Sequence, residues 1–95
     1  MTDPSRLPPD LAEALRDYTV VIVRSRLTDT RLLIEWLERR RIRYTEYHFS
    51  MASADSRGGF GDLQAQLNWE MLPMIFVDGE FIGGEKELYQ TRISA

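Results

Sequence analysis

The chain contains no cysteine. That absence excludes disulfides, iron–sulfur clusters and thiolate zinc sites, and every reaction whose nucleophile is a thiolate. There is one histidine, His48, so carboxylates are the only other metal ligands on offer, and no spacing of Asp and Glu suggests a metal site. No apolar run approaches the ~20 residues of a bilayer-spanning helix. The opening residues have no basic stretch followed by an apolar one, so they do not read as a secretory leader, and the expected location is the cytoplasm. Positive charge is not in excess either. Lys and Arg number 12 against 15 Asp and Glu, a net charge of −3, which argues against nucleic acid or an anionic membrane as partner.

What is present suits one small α/β domain. A chain of 95 residues carries a single modest core. Residues 1–9 hold three prolines and little that is apolar, so they are expected to be loose, with the domain spanning 10–95. Asp10 is placed to cap a short helix from Leu11 to Arg16, with Leu11, Ala14 and Leu15 on one face. The unbroken β-branched run Tyr18–Val23 reads as a strand buried on both faces. After a turn, Thr28, Asp29 and Thr30 offer caps for a helix reaching about Arg41, with Leu33, Trp36 and Leu37 as its apolar stripe. Arg39, Arg40 and Arg41 close it where cations suit the helix dipole; they read as a solvated end, with a phosphate or partner patch as the alternative. Arg43–Phe49 alternates and reads as an edge strand.

Serine, aspartate and glycine make 50–61 a loop by composition, with Asp62 capping a short helix from Leu63 to Asn68. Met74–Val77 is a third strand. Asp78-Gly79 is a two-residue hairpin signal, and Glu80–Ile82 returns antiparallel. Gly83-Gly84 breaks this strand before a closing helix from Glu85 to about Ile93. Trp36 reads as core, whereas Trp69 is left open between packing and binding.

The stretch Leu72-Pro73-Met74-Ile75-Phe76-Val77-Asp78-Gly79-Glu80-Phe81-Ile82-Gly83-Gly84 resembles the glutaredoxin pattern Val-Pro-x-Val-Phe-Ile-x-Gly-x-x-Ile-Gly-Gly, without gaps and in the matching topological place. The resemblance covers the chain from about Leu11 to its end. It implies the thioredoxin/glutaredoxin fold: a four-stranded mixed sheet in the order 2-1-3-4, flanked by helices on both faces. It also implies a cis bond at Leu72-Pro73 and a Leu72 backbone able to pair with an extended thiol peptide, usually glutathione.

The family's second signature fails. Where glutaredoxins carry Cys-x-x-Cys or Cys-x-x-Ser, this chain has Ser25-Arg26-Leu27-Thr28-Asp29-Thr30. Counted back from the helix, Leu27 to Thr30 take the motif's register; counted forward from Ser25, Asp29 takes the first cysteine position. Neither register supplies sulfur. A hydroxyl nucleophile would need a base, and His48 is expected on an edge strand far from this loop. By resemblance, Arg26 matches the lysine that meets the glycyl carboxylate of glutathione. The acid expected after Gly84 is replaced within Glu85-Lys86-Glu87, where Lys86 reverses the charge and Glu87 offers a carboxylate one residue on.

The expected ligand surface therefore comprises Arg26, Thr28, Asp29, Met71, Leu72, Pro73, Gly84, Glu85 and Lys86, with no catalytic residue. Three functions follow. The first is a redox-inactive glutaredoxin-like module that binds a protein or extended peptide. The second is a non-catalytic protein binding glutathione or another small thiol. The third is an enzyme of non-thiol chemistry on a glutathione-transferase-like site, with Ser25 as the candidate hydroxyl.

Overall fold

The computed structural model describes residues 9–49, 54–69 and 71–91. Its elements run α1 (Pro9–Asp17), β1 (Val20–Arg24), α2 (Arg31–Arg39), β2 (Tyr44–His48), α3 (Ala54–Leu67), β3 (Met74–Val77), β4 (Glu80–Gly83) and α4 (Glu85–Tyr89). The sheet is four-stranded in the order β2-β1-β3-β4. β1 and β2 are parallel, with Val20 opposite Tyr44 and Arg24 opposite His48. β3 runs antiparallel to β1, pairing Met74 with Val23, and β4 antiparallel to β3.

The unbroken apolar strands are explained by two cores, one on each face of the sheet. Val21, Val23, Met74 and Phe76 point to one face and pack with Leu11, Phe49, Phe60 and Leu63. Val20, Ile22, Ile75 and Val77 point to the other and pack with Leu33, Leu37, Ile42 and Leu88. Successive strand residues alternate between faces, so a strand covered on both sides is apolar throughout. The helices that supply these partners lie accordingly: α1 and α3 on the first face, α2 and α4 on the second.

Several boundaries differ from those read off the sequence. α1 begins at Pro9, a residue whose missing N–H costs nothing in a first turn. Asp10 is thus inside the helix, where its carboxylate accepts the Leu11 N–H at 3.1 Å and the Tyr47 hydroxyl of β2 at 3.1 Å. β1 starts at Val20 rather than Tyr18. α2 is shorter at both ends than the span from Thr28 to Arg41. Arg40 is its C-cap and Arg41 follows in the left-handed region, φ 55°.

The largest difference is α3. Composition read 50–61 as loop and Asp62 as a cap, yet the helix runs from Ala54 through both Gly58 and Gly61, with Asp62 in its interior. Burial of Phe60 and Leu63 overrides the poor propensity of the glycines. Residues 50–53 lie outside the described part. α4 ends at Tyr89, capped by Gln90, short of Ile93; Ile93 itself is outside the described residues. The hairpin is as read: Asp78 at φ 52° and Gly79 at φ 82° join β3 to β4.

Candidate functional site

The topology brings three loops to one end of the sheet. β1 ends at Arg24 beside the start of β3, because Val23 pairs with Met74. β4 ends at Gly83, which pairs with Ile75 near that same start. The segments 25–30, 71–73 and 84–86 are therefore neighbours in the fold. The Leu72-Pro73 bond is cis. Gly84 lies so close to it that a Cβ there would sit 3.5 Å from the Pro73 carbonyl oxygen and 3.6 Å from the Trp69 ring. Trp69 packs edge-on to Phe81 at 5.5 Å; its indole N–H is buried with no hydrogen-bond acceptor among the described residues.

The loop from Ser25 to Thr30 is pinned from below. The Arg24 guanidinium donates Nη1 to Glu46 Oε2 and to Thr30 Oγ1, both at 2.6 Å, and Nη2 to the Thr28 carbonyl at 2.6 Å. Its Nε donates to the Ser25 carbonyl at 3.2 Å. Arg24 and Glu46 are 17% and 24% exposed, and Thr30 Oγ1 also donates to Glu46 at 3.2 Å. One arginine thus ties four points of the loop and of β2 together. Arg24 and Glu46 are not among the residues expected from the sequence. The available signal was a cation ending a buried apolar strand, which a half-buried position obliges to find a carboxylate.

The polar side chains of the loop are consumed internally. Thr28 Oγ1 accepts the Ser25 N–H at 3.2 Å and lies 3.1 Å from Ser25 Oγ. The Asp29 carboxylate accepts the Arg31 N–H at 3.1 Å and the Arg31 guanidinium through both oxygens. These bonds from Arg31 hold the Asp29 carboxyl below its usual range. The helix start is thus served by Asp29, whereas Thr30, in the cap position, makes no side-chain cap bond. Thr28 and Asp29, expected to face a ligand, have their hydroxyl and carboxylate engaged within the loop.

The residues left outward are of a different kind. Arg26 is exposed and, among the described residues, has no ion-pair or hydrogen-bond partner. Leu27 is 89% exposed and Met71 64%. Leu72 and Pro73 are half-buried behind them. His48 is nearer than the sequence suggested, since it pairs with Arg24 at the loop end of β2, but its side chain is exposed.

At the start of α4 the acids turn inward. Glu87 Oε1 accepts the Gly84 N–H at 3.1 Å, which completes the helix cap from within. Glu87 therefore does not stand in for the missing outward acid. Glu85 accepts the Tyr89 hydroxyl; burial, then this bond, pushes the Tyr89 pKa up to about 12. Lys86 is exposed. Among the described residues no group of His, Asp and Glu is arranged to hold a metal, and no helix is long and apolar enough to cross a membrane.

No family model matches the chain, and no curated protein matches its sequence. Solved structures do match. A wheat glutaredoxin superposes with a TM-score of 0.72 over 94% of this chain and 85% of its own, at 16% identity. The buckwheat glutaredoxin–glutathione complex gives 0.71 over 86% and 74%, at 13% identity. Glutaredoxin 1 from Francisella tularensis, complexed with cacodylate, gives 0.59 over 75% and 87%, at 26% identity. With the same sheet order, helices on both faces and no cysteine anywhere, the chain is a glutaredoxin-like protein in fold whose motif loop carries no thiol.

Proposed function

We propose that this chain is a redox-inactive glutaredoxin-like module that binds an extended segment of a partner protein at the loop end of the sheet. The observation that carries this reading is the exposure of Leu27 and Met71, on two loops far apart in sequence, beside Arg26, a cation without a partner among the described residues. Exposed apolar side chains gathered at one end of a rigid scaffold favour association, and methionine adapts to varied contacts. The pinned loop below them keeps this surface preformed, so little order has to be gained on binding.

The chemistry of the site supports binding over turnover. Thiol–disulfide exchange requires a thiolate, and none exists here. Ser25 faces a threonine hydroxyl rather than a base, so a hydroxyl nucleophile finds no activation. Glutathione is disfavoured by two features of α4: Glu87 already accepts the Gly84 N–H, and Lys86 opposes an incoming α-ammonium. Calorimetry should give a glutathione dissociation constant of about 1 mM or weaker, equivalent to only about 4 kcal/mol. A micromolar constant would replace the partner-binding reading with a small-thiol one.

A photo-crosslinking residue placed at position 27, and separately at 71, tests the site. Both positions should capture the same protein, and Arg26→Glu with Leu72→Asp should abolish the capture while the amide spectrum stays that of the folded chain. Capture that survives this double change would move the interaction elsewhere.

A further inference from the structure

Running from the loop end along the outside of the molecule, α2 and α4 share an outer face that the fold leaves uncovered among the described residues. An α-helix turns every 3.6 residues, so Leu32, Trp36, Arg39 and Arg40 fall within an arc of about 100°. Leu32 is 70% exposed and Tyr89 of α4 is 41% exposed. Trp36 is half-buried between them, its ring 5.3 Å from that of Tyr89 and one helical turn from Leu32. The Arg40 guanidinium lies 4.1 Å over the Trp36 ring. An apolar and aromatic stripe thus ends on arginine.

That arginine end is not tied up in direct ion pairs. Arg39, Arg40 and Arg41 are all exposed, and among the described residues none of them forms an ion pair. Two acids of the same helices are engaged by hydroxyls, Glu38 by Tyr44 and Glu85 by Tyr89. Glu35, one turn before Arg39, is the remaining exposed acid of α2. Arg41 sits at φ 55°, the position past a helix C-cap where glycine is usual.

We propose that this face docks an acidic amphipathic helix of a partner protein. Its apolar residues sit on Leu32, Trp36 and Tyr89, and its carboxylates meet Arg39 and Arg40. Charge selects the occupant. The chain carries a net −3, so this basic cluster is a local exception whose complement is acidic. Length agrees: from Leu32 to Arg40 the stripe runs about 12 Å, the reach of two turns of a bound helix. A bare polyanion would leave Leu32 and Tyr89 without apolar contacts. A second copy of this chain would bring another set of arginines to the same face.

Selection from a library of random peptides of about 15 residues, enough for four helical turns, tests the proposal on the full chain. The Arg39→Glu, Arg40→Glu double variant and the single variant Leu32→Asp serve as counter-targets; all three positions are exposed. Enriched peptides should combine Asp or Glu with Leu, Phe or Trp at helical spacing. They should lose at least about tenfold in affinity on the double variant and weaken in high salt. Amide shifts should fall on 32–41 and Tyr89, and Arg26→Glu with Leu72→Asp should leave binding unchanged, which separates this face from the loop-end site. The proposal is overturned by an empty selection, by enriched peptides without acids, or by equal binding to the variants. Amide shifts at 26–30 and 71–73 instead, an oligonucleotide saturating the same residues with comparable affinity, or self-association through this face would overturn it as well.

Discussion

At the scale of single residues, Arg24 governs the loop between β1 and α2. Its guanidinium is half-buried and meets Glu46, Thr30 and two loop carbonyls. Removing one partner of such a pair is costly because the other charge is left poorly solvated. Glu46→Ala should destabilise the fold by about 2 kcal/mol, scaled down from the full buried-pair value because both groups retain some solvent. Urea unfolding would read this, and a loss within a few tenths would mean that water already shares the pair. Tyrosine ionisation offers a second check. Burial first, then hydrogen bonds to Asp10 and Glu85, pushes Tyr47 and Tyr89 each up to about 12. A raised folded pKa means that the folded state keeps its proton longer than the unfolded chain does, whose tyrosines titrate near the ordinary 10. The stabilisation is therefore complete below about pH 10 and declines between about pH 10 and 12. Ultraviolet titration of the folded chain should show part of the tyrosine absorbance rising late, over the same window.

At the scale of elements, what was legible depended on whether local chemistry and packing agreed. β3, the Asp78-Gly79 turn and the buried β1 were legible because propensity, turn residues and burial point the same way there. α3 was not, since its glycines argue for a loop and only the cores reveal why Phe60 and Leu63 hold it helical. The start of α2 was read early because three candidate caps stand in a row, and Arg24 with Glu46 recruits one of them. The glycines now differ in kind. A Cβ at Gly58 or Gly61 meets nothing within 4 Å, so alanine at either should stabilise the protein by roughly 0.5–1 kcal/mol through helix propensity. Gly83 is at φ 121°, and a Cβ there would lie 2.7 Å from Glu87 Cγ. Gly83→Ala should cost roughly 1–3 kcal/mol, from backbone strain and from displacing Glu87 off its cap. Thermal denaturation of the three variants should give shifts of opposite sign, up for the first two and down for the last.

At the scale of the whole molecule, the fold was readable because one stretch, Leu72 to Gly84, carries a turn, a strand pair and a proline in a fixed spacing. That the three loop segments meet at one end of the sheet was legible from the topology; the bonds made within them were not. Arg26 and Met71 are exposed and Leu72 is half-buried, while Thr28, Asp29 and Glu85 are bonded to Ser25, Arg31 and Tyr89. A mixed-disulfide reduction assay with glutathione and its reductase should match the blank, and turnover by pure protein would refute the redox-inactive reading.

The pinning of the 25–30 loop also bears on where a thiol could be introduced. A cysteine at position 28 would remove the hydroxyl that meets Ser25, and one at 29 would uncap α2. A cysteine at 30 would strip Arg24 of a partner. Positions 26 and 27, whose side chains make none of these bonds and are exposed, accept a thiol without undoing the loop. A thiol therefore fits this loop at its tip, and one placed nearer the start of α2 comes only at the expense of the bonds that hold the loop.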